Sequence, residues 1–326
     1  MTNFEHDKLN PVCIVNNVHG LLIYYLYNPE SFFETLFVIS DGISSDVQQK
    51  LKHTLRVPSF SRPPKFARLL LRAVYYFFTN IFLSLKKQNT IVYGHDHLYY
   101  SQLFVKRAEK FVLLEDGLAN YSRQSTHQGG KLRKLLFGST GPFFGWSEEI
   151  TSIVLTGIVD IPAELKCKTT LIDINKKWGE LAPQQKERFV SLFSSEPYRP
   201  LKKVVIFTQP FSEDAMMSEK EKVEIYRRIY NHYRKAYSRD EICIKAHPRE
   251  QTDYSSYFDC EFIKSKIPGQ IMILNDNPEI LVTIYSSVGY VRSEIETHIW
   301  GTTFDSFLVE RTGSFEGNYY GWKNDE

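Results

Sequence analysis

The stretch F-V-L-L-E-D-G-L-A-N-Y, residues 111–121, decides the fold. Its four leading apolar residues predict a short, fully buried strand. Glu115 and Asp116 then stand at the carboxyl end of that strand, and Gly117 permits a sharp turn after them. Ligands of open α/β sheets bind beyond the carboxyl ends of the strands. The two carboxylates therefore provide either a general base or a helix cap, and the stretch alone leaves both open.

The same pattern of buried strand and polar turn recurs along the chain and predicts a parallel, doubly wound sheet. The first series of predicted strands lies at 12–15, 36–39, 90–93, 111–114, 150–155 and 169–174. Helices are predicted over 21–27 and 99–109, and the Gly-rich, basic segment 126–145 is predicted to be a mobile loop.

The pattern changes near residues 176–203, where a predicted helix is followed by a Ser- and Pro-containing linker. A second series follows, with strands at 204–207, 241–245, 261–264 and 281–285 and a helix at 218–236. The expected fold is α/β, with two Rossmann-like domains, residues 1–180 and 181–326, that face each other across a cleft.

The composition is that of an ordinary globular protein, with 42% hydrophobic and 24% charged residues. Forty basic and 38 acidic residues give a net charge of +2, which provides no general attraction to nucleic acid. The four cysteines form no C-x-x-C pair, which favours reduced thiols over a disulfide framework or a zinc site. The polar first ten residues resemble no signal peptide, so a cytoplasmic location is expected.

Residues 66–85 form a long apolar stretch with basic residues at both ends. Arg68 and Arg72 leave only about thirteen uncharged residues, fewer than the roughly 20 that a spanning helix needs. A helix in the core is expected, because core helices are the commoner kind. The alternatives are an interfacial helix on the inner leaflet of the membrane and a dimer surface.

Two polar turns of the second half resemble anion sites. In K-A-H-P-R-E, residues 245–250, Pro248 predicts the first turn of a helix and places His247 at its N-terminus, where anions are favoured. A protonated His247 beside Lys245 would hold a phosphate. Ser286 and Ser287 follow another predicted strand in the same way. The plain alternatives, a surface histidine and an ordinary serine N-cap, stay open for each turn taken alone.

Two further turns follow strands of the first half. Asn17 and His19 lie in one, and His95-Asp96-His97 forms the other. Both either line a substrate site or cap helices. The H-x-H pair has no third ligand nearby in sequence, so no metal site is expected.

Together, the acidic turn, K-x-H-P and the serine pair resemble, in this order, the bacterial sialyltransferases of glycosyltransferase family 52, the lipooligosaccharide and capsule enzymes. Related motifs occur in the bacterial polysialyltransferases. The resemblance spans residues 12–289 and implies a GT-B fold.

The resemblance also implies roles for single residues. Asp116 corresponds to the general base, with Glu115 beside it, and His247 corresponds to the residue that contacts the departing phosphate. The remaining donor-site positions are Lys245, Pro248, Ser286, Ser287 and Gln270. Related enzymes carry a glutamate for the donor ribose where this chain has Gln270, and an amide binds a hydroxyl more weakly than a carboxylate does. Thr208-Gln209-Pro210 also resembles the family. Glu115, Gly117, Asn17, His19 and His95 are assigned to the acceptor side.

The expected function is therefore an inverting, metal-independent transfer of sialic acid from CMP-sialic acid to a terminal galactose of a bacterial capsule or lipooligosaccharide, with α-2,3 linkage. Inversion is expected because base and leaving group are assigned to opposite domains. No cofactor is expected. The alternatives are a polysialyltransferase that extends a sialic acid chain and a non-catalytic nucleotide-sugar-binding partner in capsule assembly. A peripheral position at the inner face of the membrane and a homodimer are further expectations about partners.

Overall fold

The computed structural model of the chain describes residues 10–60, 63–84, 91–123, 131–286, 288 and 294–321. The chain divides into two compact units, Met1–Glu180 and Leu181–Glu326. Within the described ranges, we find no helix that combines the length and the apolarity needed to span a lipid bilayer.

Unit 1 contains a parallel sheet whose strand order is β3-β2-β1-β4-β5-β6-β7 over the described residues. Its strands are β1 (Val12–Val15), β2 (Leu36–Ile39), β3 (His53–Arg56), β4 (Ile91–Gly94), β5 (Lys110–Leu114), β6 (Ser152–Leu155) and β7 (Thr169–Leu171). Its helices are α1 (Val18–Tyr27), α2 (Ser45–Lys50), α3 (Lys65–Ser84), α4 (Gln102–Val105), α5 (Lys131–Phe137), α6 (Ala163–Lys166) and α7 (Ile174–Glu180).

Unit 2 repeats the plan with the strand order β10-β9-β8-β11-β12, again fully parallel over the described residues. Its strands are β8 (Val204–Phe207), β9 (Ile242–Lys245), β10 (Glu261–Ile263), β11 (Ile280–Thr283) and β12 (Glu296–Ile299). Its helices are α8 (Pro183–Val190), α9 (Glu219–Arg234), α10 (Gly269–Asn275) and α11 (Ser306–Thr312).

The central strands are apolar on both faces because helices cover both sides of the sheet. Strands β1, β8, β9 and β11 are buried at every position. In each unit the strand order reverses beside the first strand, between β1 and β4 in unit 1 and between β8 and β11 in unit 2. Such a reversal opens a crevice at the carboxyl ends of the strands, and this is where open α/β sheets bind ligands.

Three sequence predictions are wrong in detail. The helix predicted over 99–109 is the single turn α4. The segment predicted as a mobile loop contains the helix α5, whereas residues 124–130 lie outside the described part of the chain. The helix predicted for the core, α3, instead exposes most of its large apolar side chains, among them Phe66, Leu70 and Phe78. Among its described side chains, those of the inner face pack on the core of unit 1.

Candidate active site

The acidic turn of unit 1 separates its two carboxylates into different environments. Glu115 is fully buried, whereas the Asp116 side chain keeps 17% of its surface exposed. Gly117 follows with φ of 101°, a backbone conformation that favours glycine and turns the chain away from the strand. The backbone N–H of Asp116 donates to Asn120 Oδ1 at 2.7 Å, which fixes the turn from the other side.

Glu115 is an anchor for the surrounding loops. His19 Nε2 donates to it at 3.0 Å, the Tyr121 hydroxyl donates at 2.5 Å, and the N–H and hydroxyl of Thr156 donate at 2.7 and 2.9 Å. Burial alone would raise the pKa of this carboxyl. The hydrogen bond and charge of His19, together with the hydrogen bonds of Thr156 and Tyr121, bring the pKa below its ordinary value. Glu115 is therefore an ionised group with its lone pairs occupied, and it is poorly suited to accept a substrate proton.

Asp116 has the opposite character. Burial raises its pKa, and the opposing effects of His97 and Asn17 do not fully offset that rise. Asn17 Nδ2 donates a short hydrogen bond to Oδ1, while Asn17 Oδ1 accepts from the N–H of Gly20 and so caps α1. One side chain thus ends the loop after β1 and orients the carboxylate after β5. A carboxylate with a raised pKa and an exposed edge is suited to general base catalysis.

Two histidine rings complete the surroundings of Asp116. His95 Nε2 lies 3.6 Å from Oδ1, and His97 Nε2 lies 3.5 Å from Oδ2. Burial lowers the pKa of His95 to about 3 and that of His97 to about 4, so both rings are neutral near pH 7. Within the part of the chain that the structure describes, neither nitrogen of His95 has a hydrogen-bond partner. A buried ring that carries one donor and one acceptor without partners is suited to bind a polar ligand.

The neighbouring loops hold these rings in place. Helix α1 approaches His95 at Gly20, where a Cβ atom would lie 2.6 Å from Nε2. The His97 ring stacks on Phe144 with centroids 4.5 Å apart. Asp96, between the histidines, accepts the N–H groups of Phe144 and Gly145 at 2.7 and 3.0 Å, and it is buried so deeply that its pKa rises to about 6. Asp96 is thus the anchor of the loop under His97.

The predicted donor residues of unit 2 have different surroundings. The turn at His247 is a hydrogen-bonded turn, closed by Glu250 N–H to His247 O at 2.9 Å, and α-helix does not begin at Pro248. His247 Nδ1 accepts the N–H of Arg249 at 3.2 Å, which places the proton of the neutral ring on Nε2. Burial and the charge of Arg249 lower the pKa of His247. The ring is therefore a neutral N–H donor, and the expectation of a protonated His247 is corrected.

Lys245 does not reach the surface. Its ammonium donates to the carbonyl oxygens of Ala246 and Ser265 at 2.5 and 3.0 Å, and burial lowers its pKa to about 8. The side chain therefore fastens the turn after β9 to the chain that follows β10. The structure does not bring it to the exposed side of His247, where the sequence led us to expect a phosphate contact.

The remaining predicted donor residues occupy strand ends and helix starts. Ser286 Oγ accepts the N–H of Val288 at 3.3 Å, as a cap does. Gln270 lies in the first turn of α10 and is partly exposed. Pro248 is exposed in its turn, and Ser287 lies outside the described residues. Thr208 and Gln209 are buried, and Gln209 Oε1 accepts the N–H of Tyr285, which joins the ends of β8 and β11.

The residue that organises this turn, Glu250, was missed by sequence reasoning. Its buried carboxylate accepts the N–H of His247 at 2.9 Å, the hydroxyls of Thr208 and Tyr254 at 2.6 and 2.7 Å, and the ammonium of Lys222 at 3.2 Å. In the sequence, only its position three residues after His247 could have indicated its role. Its partners Thr208 and Lys222 lie 42 and 28 residues before it in the chain. Among the described residues, no group of three or more His, Cys, Asp or Glu side chains is arranged to hold a metal ion.

Two solved structures with a similar fold are bacterial sialyltransferases. A sialyltransferase GT-B domain from Photobacterium damselae matches with a TM-score of 0.53 and 13% identity, over 88% of this chain and 89% of that one. The 2,6-sialyltransferase of Photobacterium sp. JT-ISH-224, solved with CMP and lactose, matches with the same TM-score and 14% identity, over 88% of this chain and 70% of that one. At these identities the likeness establishes the fold, and it confirms the predicted GT-B class.

The sequence itself has two informative matches. An uncharacterized protein of Haemophilus influenzae is 29% identical over 94% of this chain and 98% of its own length. Residues 41–290, which include the acidic turn, the His247 turn and Ser286, match glycosyltransferase family 52. The family suspected from the motifs is thereby confirmed: the chain belongs to glycosyltransferase family 52.

Proposed function

We propose that the protein is an inverting, metal-independent sialyltransferase, which moves sialic acid from CMP-sialic acid to a terminal galactose of a bacterial capsule or lipooligosaccharide. The observation that carries the proposal is the division of labour in the acidic turn. Glu115 has its lone pairs occupied by buried donors, and Asp116 retains an exposed edge and a raised pKa. The family and the GT-B fold support the reaction class. Transfer to a sugar hydroxyl needs a base at the moment of attack.

Asp116 removes the proton of the acceptor hydroxyl in this proposal. Neutral His95 and His97 supply hydrogen bonds that hold the acceptor beside it, because both rings lie within 3.6 Å of the carboxylate and carry no charge near pH 7. Their neutrality matters, since a protonated ring would lower the pKa of Asp116 and make it a weaker base.

His247 assists the departure of the CMP phosphate. Its Nε2–H donates to the oxygen on which negative charge grows as the glycosidic bond breaks, an electrostatic effect that is largest when the donor is already oriented. The N–H of Arg249 orients the ring, and Glu250 holds the backbone N–H of His247. Ser286 and Gln270 contact the phosphate and the ribose of the donor. Because hydrogen-bond donors stabilise the leaving group, no metal ion is needed.

The experiment incubates the full chain with CMP-sialic acid and lactose and measures CMP release and sialyl-lactose formation, with the linkage read by NMR. Asp116→Asn is expected to lower kcat/KM about 10²- to 10⁴-fold. Asp160→Asn, which changes an exposed carboxylate of the same unit, is the matched control and is expected to change nothing.

Three outcomes distinguish the alternatives. A transfer rate that Asp116→Asn leaves unchanged would show that Asp116 is not the general base. Transfer to oligosialic acid but not to lactose would identify a polysialyltransferase. CMP-sialic acid binding without transfer to any galactose-terminated glycan would favour the non-catalytic partner.

A further inference from the structure

The turn after β9 contains three side chains that can carry positive charge, and two of them are not positioned or charged to bind an anion. Lys245 is buried and donates to two backbone carbonyl oxygens. Burial, together with the charge of Arg249, lowers the pKa of His247, so its ring is neutral near pH 7. Arg249 remains, with 61% of its side chain exposed. Because an arginine side chain is always charged, Arg249 is the cation of this turn that is suited to meet an anionic ligand.

Arg249 is held by Asp214, which lies in the loop after β8. Nη1 donates to Oδ1 at 2.7 Å and Nη2 donates to Oδ2 at 3.1 Å, so the carboxylate occupies the end of the guanidinium. A guanidinium has five N–H groups in one plane, and Asp214 takes two of them. The other N–H groups, including that of Nε, have no acceptor among the described residues. Asp214 therefore orients Arg249 and leaves a second edge of the guanidinium for another carboxylate.

The loop that presents Asp214 is tightly folded. The Asp214 N–H donates to Pro210 O at 2.8 Å, and the next residue, Ala215, has φ of 57°, a left-handed conformation that is uncommon for alanine. Backbone strain of this kind is concentrated at functional sites. An ion pair as exposed as that of Asp214 and Arg249 contributes little to stability, so stability alone does not account for this backbone.

The ion pair lies at the carboxyl ends of β8 and β9, which are neighbours in the sheet of unit 2. The loop after β8 also comes close to the end of β11, since burial and the charge of Asp214 raise the pKa of Tyr285, which follows that strand. Ser286, a candidate donor residue, comes directly after Tyr285. Arg249 therefore lies beside the crevice where the strand order of unit 2 reverses, and not on a remote surface.

From these contacts we propose that Arg249 binds the carboxylate of the donor sugar, and so selects a sugar nucleotide whose sugar is an acid over one whose sugar is neutral. The inference rests on the proposed function. In CMP-sialic acid the carboxylate is attached to the carbon from which the phosphate departs, so a group on the same turn as His247 is placed to reach it. The flat guanidinium binds Asp214 along one edge and the donor along the other. His247 and Arg249 thus contact different anionic groups of one ligand.

This contact is made equally before and during bond cleavage, because the carboxylate stays on the sugar that is transferred. Arg249→Gln should therefore raise the KM for CMP-sialic acid about tenfold and leave kcat within about twofold of wild type. A purely structural role predicts a different result. If the variant distorted the turn, His247 would lose its position and kcat would fall as well.

The test is calorimetric binding to the full-length protein of two ligands. CMP has the phosphate but no sugar carboxylate, and the 3-fluoro derivative of CMP-sialic acid has both, with a fluorine that slows cleavage. Arg249→Gln is expected to weaken binding of the sugar-bearing ligand about tenfold and to leave that of CMP within about twofold. Arg249→Lys keeps an ion pair with Asp214, and with it the fold, but has no second edge. It should lose at least about threefold in affinity for the sugar-bearing ligand.

The matched control is Arg227→Gln, which changes an exposed arginine of α9 that pairs with Glu224 and should bind both ligands as wild type does. Equal loss of both ligands in Arg249→Gln would assign the guanidinium to the phosphate, and unchanged binding of both would make the ion pair purely structural. Either result overturns the inference, as does complete recovery of affinity in Arg249→Lys. Wild-type protein that binds neither ligand would instead overturn the proposed function, and this inference with it.

Discussion

Each unit contains a buried glutamate that anchors the turn next to its candidate catalytic residue, and the two glutamates differ in one of their partners. In unit 1 the buried Glu115 accepts from a tyrosine hydroxyl, a threonine hydroxyl, a backbone N–H and His19. In unit 2 the buried Glu250 accepts from the same three kinds of group and from the ammonium of Lys222. Each anchor fixes the backbone that presents a candidate catalytic side chain, Asp116 or His247.

The difference lies in the fourth partner. An imidazole can donate a hydrogen bond while neutral, but an ammonium brings a full charge into the interior. Lys222 is fully buried and also contacts Glu213 at 2.9 Å. The partners also differ in burial, because the His19 side chain keeps 24% of its surface exposed whereas the Lys222 side chain is wholly buried. Removal of the two anchors should therefore have unequal effects.

Glu250→Ala should give the largest loss. It leaves the buried ammonium of Lys222 with Glu213 alone and leaves three further donors without an acceptor, so the free energy of unfolding of unit 2 should fall by about 3–5 kcal/mol. Hydrogen exchange of the β9 amides as urea is raised measures this value. Glu224→Ala, which removes the exposed partner of Arg227, is the control and should cost less than about 1 kcal/mol. A loss below about 1 kcal/mol at Glu250 would end the idea of a charge-compensated anchor.

Glu115→Gln should cost less, about 1–3 kcal/mol for unit 1, because the amide keeps the shape but has one acceptor oxygen where the carboxylate has two. The folded-state pKa of Glu115 is lowered, so the stabilisation by its ionised form is present above pH 4.5 and is lost as pH falls through the folded pKa. The difference between wild type and Glu115→Gln should therefore shrink in acid. Hydrogen exchange of the β5 amides between pH 7 and pH 3 measures it, and a difference that grows toward pH 3 would contradict this assignment.

Much of the fold was predictable because the central strands are short apolar runs that end in polar turns. Strand β3, H-T-L-R, and strand β12, E-T-H-I, were missed because each lies at an edge of its sheet and mixes polar with apolar residues. Helix α3 was expected in the core because an apolar sequence does not show which of its faces the remainder of the chain will cover.

The candidate site was predictable only in part. Strand ends indicated Asn17, His95, Asp116 and His247, since parallel strands end at one edge of a sheet. The contrast between Glu115 and Asp116 was not predictable, because it depends on Tyr121 and Thr156, and Thr156 lies 41 residues away on another strand. The internal course of the Lys245 side chain was equally hidden, because sequence does not show that the carbonyl of Ser265 lies next to it.

The effect of Asp116→Asn on the free energy of unfolding should have the opposite sign to that of Glu115→Gln. The folded-state pKa of Asp116 is raised, so ionisation costs stability, and that cost develops as pH rises from 3.8 through the folded pKa. At pH 8 the free energy of unfolding of the variant should exceed that of wild type by up to about 1 kcal/mol, as commonly happens when a strained active-site group is neutralised. The gain should vanish below pH 4. Thermal denaturation at both pH values tests this, and a variant that is less stable than wild type at pH 8 would show that Asp116 supports the fold instead.

Asn17→Ser should have the smallest effect on stability and the most specific effect on chemistry. Serine also caps helices, so α1 should lose only a few tenths of a kcal/mol. The hydrogen bond from Asn17 lowers the pKa of Asp116, and serine is too short to keep it, so the pKa of Asp116 should rise. A base with a higher pKa stays protonated up to a higher pH, so the acidic limb of the kcat/KM profile should move to higher pH. Asn120→Ser, which removes the contact to the Asp116 backbone but not to its carboxylate, is the matched comparison. If both variants shift the acidic limb equally, the position of the turn determines the pKa of Asp116. If only Asn17→Ser shifts it, the side-chain hydrogen bond determines that pKa.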